Sequence, residues 1–300
     1  MSDRLSFFDI LTFPVRVFRW RPIHVLVYLA AVTVIYYIYY AWSASPAGLA
    51  FYTRYAEATA LAAAGQSGAY LGLLGINMLV TLLASAIMTA GGYRIMVRDP
   101  VRPFRPLGIG ADEIRILGGM LSMIGLFFVL AIGLSIALSI VVAVLGVVFA
   151  ALGAASAQEA GMALAGLMAV VLIIAISYVL GRFAVCLPQS IADRRFGFSG
   201  WAASKGFGRA LFGAHFIIVL ATSVVQLALA PDLLQNTMTE SAGGAVDIAA
   251  MAQAMSRPYG VLTFLVAPLQ AVGVFYLLGP TAAVVSWRMQ QAQPGAGRPL

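Results

Sequence analysis

From Ile116 to Gly153 the chain is almost unbroken apolar sequence, which as one helix would extend roughly 57 Å at about 1.5 Å per residue. A soluble core has no way to bury a rod of that length on every side. A bilayer with about 30 Å of hydrocarbon accepts it, either as one long tilted span or as parts of two. Composition points the same way. The sequence is 62% hydrophobic and 10% charged, whereas globular chains carry about 45–50% apolar and about 25% charged residues. Cys186 is the only cysteine, so no disulfide can form within the chain. The expected class is an all-α polytopic membrane protein.

A span needs about 20 apolar residues, and six stretches qualify: about Ile23–Trp42, about Tyr70–Met96, a third beginning after Arg115, a fourth ending near Leu187, about Leu211–Ala230 and about Val261–Trp287. Basic residues collect on the cytoplasmic side of a membrane. Here 16 of the 18 Lys and Arg fall in four blocks: before span one, between two and three, between four and five, and after six. An even number of crossings must separate such blocks. The region between Arg115 and Arg182 is therefore read as two long helices joined around Gly153–Gly161, and the whole chain as three hairpins with both termini cytoplasmic. The expected organisation is an amphipathic interfacial segment at 1–21, a six-helix membrane domain at 22–289, and a disordered cytoplasmic tail at 290–300. The 21 residues ahead of the first apolar run, and the length of that run, fit an uncleaved anchor better than a signal peptide.

Each hairpin is preceded by a basic, aromatic segment, giving basic amphipathic cytoplasmic segments. In the first, Phe8, Leu11, Val15 and Phe18 share one helical face, which would lie in the acyl boundary with Arg16 and Arg19 among lipid phosphates. Ser6 and Asp9 form a helix-start pattern, and Pro14 is expected to kink or break the helix. The second segment spaces Pro100, Pro103 and Pro106 three apart, with Arg102 and Arg105 between them, the period of a polyproline II helix. It reads as a stiff connector on anionic headgroups or as a ligand for a proline-binding groove. Asp112 and Glu113 then open span three at the positive end of its dipole. The third segment carries Arg194, Arg195, Lys205 and Arg209 beside Trp201, Phe207 and Phe212. The basic residues named here are the expected contacts for anionic lipid.

No Asp, Glu or Lys lies in the middle of any expected span, which argues against ion transport and intramembrane catalysis. Asn77, Gln226 and Gln270 are the polar intramembrane candidates, with hydrogen bonding between helices as the plain alternative. Pro268 and Pro280, with Gly273 and Gly279, suggest a kinked or locally unwound sixth span, as lines binding sites in transporters and also occurs in ordinary bundles. Gly68 and Gly72 form a single GxxxG pair. The sequence Gly197-Phe198-Ser199-Gly200 matches the GxSG of rhomboid nucleophiles but sits in a basic loop, where Ser199 is expected to cap a helix starting at Trp201. No catalytic, cofactor-binding or metal-ligating motif is found, and no cofactor is expected. The net charge of +7 belongs to the membrane boundary and does not imply nucleic acid.

The stretch GRFAVCLPQSIADRRFGFSGWAASKGFGRALFG, Gly181–Gly213, runs from a span end through Leu-Pro, a basic turn, Gly-Phe, Trp and Ser-Lys-Gly into a further span. It resembles the integral-membrane domain found ahead of some glycerophosphoryl diester phosphodiesterases, and related stand-alone six-span inner-membrane proteins of unassigned activity. Tyr93–Leu117 is similar to the second cytoplasmic segment of alphaproteobacterial members. Together these segments cover about a fifth of the chain. The resemblance implies the fold and a bacterial inner membrane. The family's phosphodiester chemistry belongs to a separate soluble domain with paired histidines and clustered carboxylates, for which no room is expected before Leu300, so hydrolysis is not implied. The function expected is non-enzymatic: organisation of lipids, or of partner proteins or a second copy, through the Arg-rich cytoplasmic face. The alternative is a transporter or channel for an uncharged or lipid-like solute.

Overall fold

The computed structural model is described for residues 5–63, 68–98, 107–108, 110–151, 174–229, 252 and 262–292. These residues form helices and turns without a strand. In chain order the helices are α1 (Phe7–Trp20), α2 (Pro22–Ser43), α3 (Pro46–Ala63), α4 (Gly68–Val97), α5 (Ala111–Ala151), α6 (174–183), α7 (Cys186–Ala192), α8 (Gly200–Ala203), α9 (Gly208–Leu229) and α10 (Thr263–Ala292). Six segments are long and apolar enough to cross a membrane: Pro22–Ser43, Tyr70–Val97, Ala111–Val141, Ile174–Ala192, Gly208–Val225 and Phe264–Ala292. The expected loop at 153–161 and the connector at 100–106 lie outside the described residues.

α10 is the hub, packing on α2, α1, α4, α9 and α7. In its most apolar stretch 67% of the residues are buried inside the bundle, against 0% for α5. Small residues allow this: Ala271, Gly279, Ala282 and Ala283 let neighbouring backbones approach, the main means of packing helices where lipid is as apolar as the protein. A Cβ on Gly92 of α4 would overlap Leu278 and come within 3.1 Å of the Tyr28 hydroxyl. Buried hydroxyls find partners across the helices, with Tyr28 donating to the Met88 carbonyl at 3.0 Å and Tyr93 paired with Thr281 at 2.8 Å. Pro268 and Pro280 stand inside α10, which is helical throughout. The outer faces of α4, α5 and α9 present Leu79, Val80, Ile132, Ile136, Leu220 and Val224. Such a surface suits hydrocarbon and would drive association in water.

One expectation at the edge of the bundle needs correction. Pro14 does not break α1, which runs unbroken from Phe7 to Trp20. The ring sits on the buried face in a notch where Gly279 lacks a side chain, and this packing offsets the lost backbone hydrogen bond. Ile10, Phe13 and Val17 share that face and are fully buried against the bundle, while Phe8 and Phe18 point outward. The segment thus has two apolar faces, and the periodicity that joined Phe8, Leu11, Val15 and Phe18 described the outer one. The link between the first two spans contains α3, an 18-residue helix that the sequence reading did not anticipate. It packs on α4 and α2, tied by a 2.7 Å hydrogen bond between the hydroxyls of Tyr52 and Tyr39. Burial, first, and that bond hold the Tyr52 phenol above its usual range.

Candidate functional site

The basic blocks of the sequence meet at one end of the bundle. Arg21, buried at the start of α2, donates to the carbonyls of Ile95 at 3.0 Å and Arg98 at 2.6 Å, at the end of α4. Arg98 donates to the Ile191 carbonyl at 2.9 Å, at the end of α7. These guanidiniums satisfy carbonyls that a helix C-terminus leaves without intrahelical partners, where positive charge is also favoured. Arg182 stacks over the Trp201 ring at 4.0 Å and donates to Ser204 at 3.1 Å. Ser286 of α10 reaches Met96 of α4, and Arg288 lies beside the rings of Phe207 and Trp287.

At the centre of this end, Asp112 and Glu113 in the first turn of α5 face the last turn of α4. Asp112 accepts from Arg94 at 3.0 Å, from Arg98 at 2.8 and 3.1 Å, and from Arg115 at 2.7 Å. Glu113 pairs through Oε1 with Arg94. The side chains of Arg94, Asp112 and Glu113 are only 13%, 10% and 8% exposed. The acidic pair stands in the first turn of α5, as the dipole reading expects, and its carboxylates also hold α4 and α5 together. Breaking one partner out of such a pair is strongly destabilising because it strands the other charge. Removing three guanidiniums' shared acceptor should therefore cost more than losing a cap.

The cluster lines a cavity of about 400 Å³, with Arg94, Arg98, Asp112, Glu113, Arg115 and Arg194 around it and Gly108, Gly110 and Ala111 completing the wall. Four guanidiniums against two carboxylates leave an excess of two positive charges. The positive end of the α5 dipole opens at the same place. Glu113 Oε2 is buried and has no hydrogen-bond partner among the described residues. Arg194 has φ of +55°, a left-handed conformation uncommon for a residue with a side chain. Such a backbone persists where its surroundings hold it.

A second cavity lies in the apolar middle of the bundle. It is an open groove of about 510 Å³ between α9 and α10, with Leu11 of α1 and Tyr36 of α2 on its margin. Its walls include Ile217, Ala221, Val225, Val266, Leu269 and Gly273, with Thr222 and Gln270 as polar members. Gln270 accepts from the Tyr40 hydroxyl at 2.5 Å.

The sequence-expected residues divide accordingly. Arg16 pairs with Asp9 and donates to Thr12 at 3.2 Å, while Arg19, Arg194, Arg195, Lys205 and Arg209 are exposed. Arg102 and Arg105 lie outside the described residues. Asn77 is half-buried on α4 and makes no hydrogen bond to a described residue. Gln226 belongs to α9, and its side chain lies outside what is described. Ser199 occupies the N-cap position of α8, which starts at Gly200, but gives no side-chain cap bond, because its backbone is already helical. Close packing fixes this turn instead: a Cβ on Gly200 would collide with the backbone at Cys186. His215 bonds the Leu211 carbonyl one turn back, at 2.8 Å, and serves packing. Sequence reasoning missed the grouping of Arg94, Arg98 and Arg115 around Asp112. The available signal was the pair of adjacent carboxylates within an otherwise basic stretch.

Among the described residues no three His, Cys, Asp or Glu side chains gather as metal ligands would. No family model, curated protein or solved structure matches the chain.

Proposed function

We propose that the protein is a non-enzymatic, multi-pass protein of a bacterial inner membrane, arranged as three hairpins with cytoplasmic termini, which gathers anionic lipids at its basic end. The observation that carries this reading is the meeting of the basic blocks at one end of a bundle whose flanks are apolar. Exposed cations there, Arg19, Arg194, Arg195, Lys205 and Arg209, stand beside exposed Phe8, Phe18, Phe196, Phe198 and Trp201. Rings of this kind insert among acyl chains while arginines meet phosphates. Each basic residue near an anionic surface contributes about 1 kcal/mol, falling off within a Debye length. The organising role follows from this enrichment of one lipid class around the protein.

The test is reconstitution in nanodiscs of mixed anionic and zwitterionic lipid, with spin-labelled lipids reporting which class is immobilised on the protein. Wild type should immobilise the anionic probe preferentially. Replacement of Arg16, Arg19, Arg102, Arg105, Arg194 and Arg195 by Gln should abolish the preference, and an unchanged preference would refute the reading.

The groove at Gln270 favours a second reading, transport or sequestration of an uncharged, lipid-like molecule. Its apolar walls and few polar groups are those of a small-molecule site. Uptake of such a molecule by proteoliposomes, abolished when Gly273→Leu fills the groove, would support it.

A further inference from the structure

The cavity at the junction of α4, α5 and α7 differs from the exposed basic surface around it. We propose that it is a discrete site for a phosphate group belonging to a molecule that also presents an O–H or N–H donor. This deepens the reading of the basic end as a lipid-recognition surface and rests on it for the lipid form of the ligand.

Three features define the ligand. First, Arg94, Arg98, Arg115 and Arg194 line the cavity, and their charge exceeds that of Asp112 and Glu113 by two. Planar guanidinium forks suit phosphate oxygens, which accept two parallel N–H bonds. Second, the cavity wall includes Gly110 and Ala111 at the start of a 41-residue helix, where free backbone N–H groups and the dipole favour an anion. Third, Glu113 Oε2 is buried and has no hydrogen-bond partner among the described residues, in a side chain only 8% exposed. It lies 3.7 Å from where a Cβ of Gly110 would stand, on the cavity wall. A buried carboxylate oxygen needs a donor. A bare anion such as sulfate offers none and would repel it. A hydrogen phosphate supplies its own P–OH; a phosphodiester headgroup supplies a hydroxyl or ammonium beside its phosphate. The same wall therefore attracts the phosphate and selects for a donor next to it.

Neighbouring residues provide the control. Arg194 and Arg195 are both exposed and carry equal charge, but only Arg194 lines the cavity. A diffuse electrostatic surface treats them alike, whereas a built site does not.

The test uses the full-length protein in a neutral detergent, with thermal stabilisation measured against added sodium phosphate or sodium sulfate at matched ionic strength. In parallel, mixed micelles carry phosphatidylglycerol, which has headgroup hydroxyls, or phosphatidylcholine, whose headgroup has no donor. Wild type should show saturable stabilisation by phosphate, by phosphatidylglycerol, or by both, at least tenfold tighter than by sulfate or phosphatidylcholine. Stabilisation by the lipid alone identifies a headgroup site, and stabilisation by the ion as well identifies one that also takes free phosphate. Arg194→Gln should weaken binding at least tenfold beyond Arg195→Gln, whose loss stays within the roughly fivefold that one charge contributes at an anionic surface. Glu113→Gln, whose amide can donate, should narrow the phosphate-to-sulfate gap. If that variant does not fold, the arginine pair decides the matter, since both side chains are exposed. Equal loss in the two arginine variants would overturn the site while leaving the lipid-gathering surface standing. No saturable response to either phosphate-bearing probe would also overturn the site, and loss of anionic-lipid preference in the nanodiscs would independently overturn the surface.

Discussion

The two cavities are built on opposite principles. The one at the basic end is walled by ion pairs between helices, and its shape depends on charges that cannot be removed one at a time. The groove between α9 and α10 is walled mostly by apolar side chains, with Gln270 in its wall bonded to Tyr40 behind it. Small-residue packing along α10 sustains it without any charge. The difference teaches where recognition and where architecture reside. The described ion pairs between helices gather at one end of the bundle, and the apolar middle relies on shape. A guanidinium in the middle would cost about 2.5–3.5 kcal/mol or more, whereas at this end Arg21 satisfies carbonyls that close α4 and Arg98 one that closes α7.

The sharpest way to break this comparison is to unpair the cluster. Asp112→Ala takes the shared carboxylate from Arg94, Arg98 and Arg115, leaving Arg94 with Glu113 alone and Arg98 with the Ile191 carbonyl, and should destabilise the protein by about 3 kcal/mol, the lower end for losing one member of a buried pair, because the site is partly solvated. A fall in the denaturant midpoint in detergent reads this directly. Next in size is the notch that seats α1. Gly279→Val should push Pro14 out and cost about 1–3 kcal/mol, the usual range for overpacking. Limited trypsin digestion should then cut faster at Arg16 and Arg19, while Gly72→Val, which nothing approaches within 4 Å, leaves the rate unchanged.

Beside the groove, Tyr40→Phe removes the bond to Gln270 and should cost about 1 kcal/mol, leaving phosphate binding at the basic end as it was. The smallest effect concerns the start of α1, where Ser6 and Asp9 close a capping box. Ser6→Ala should cost about 1 kcal/mol of helix stability. Hydrogen bonding from Ser6, and then Arg16, holds the Asp9 carboxyl at about 2, below its usual 3.8. Its contribution is therefore complete above about pH 4 and fades as the pH falls towards 2, the direction expected for a depressed carboxylate. Protease accessibility of α1 should rise across that interval and not above it.

Much of the fold was legible because a desolvated helix writes its length into an apolar run. The first span, expected at Ile23–Trp42, is the helix Pro22–Ser43, and the second differs by about as little. Residues of separate basic blocks do meet: Arg21 bonds the Arg98 carbonyl, Arg98 the Ile191 carbonyl three residues before Arg194, and Arg288 the Lys205 carbonyl. The site itself was only half legible. Asp112 and Glu113 were visible as charges, but two of their three partners, Arg94 and Arg98, stand at the end of α4, 14 to 19 residues earlier in the chain. Sequence spacing reports neighbours along a helix and is silent about neighbours across helices. The same limit applied to α1: periodicity revealed an apolar face, but Pro14 looks like a breaker until Gly279, far along the chain, offers its ring a seat. The helix α3 was missed because its apolar residues are diluted by Arg54, Glu57 and several alanines, so it resembles neither a span nor a strongly amphipathic surface helix.

The central claim is that lipid selection belongs to the basic end and not to the groove. Native mass spectrometry of the protein released from equimolar phosphatidylglycerol and phosphatidylcholine tests it in one experiment, by comparing retained lipids for wild type, for the Arg16, Arg19, Arg102, Arg105, Arg194 and Arg195 neutralised variant, and for Gly273→Leu. The account predicts preferential retention of phosphatidylglycerol in wild type and in Gly273→Leu, and no preference in the neutralised variant. Selectivity that survives neutralisation but disappears when the groove is filled would contradict it.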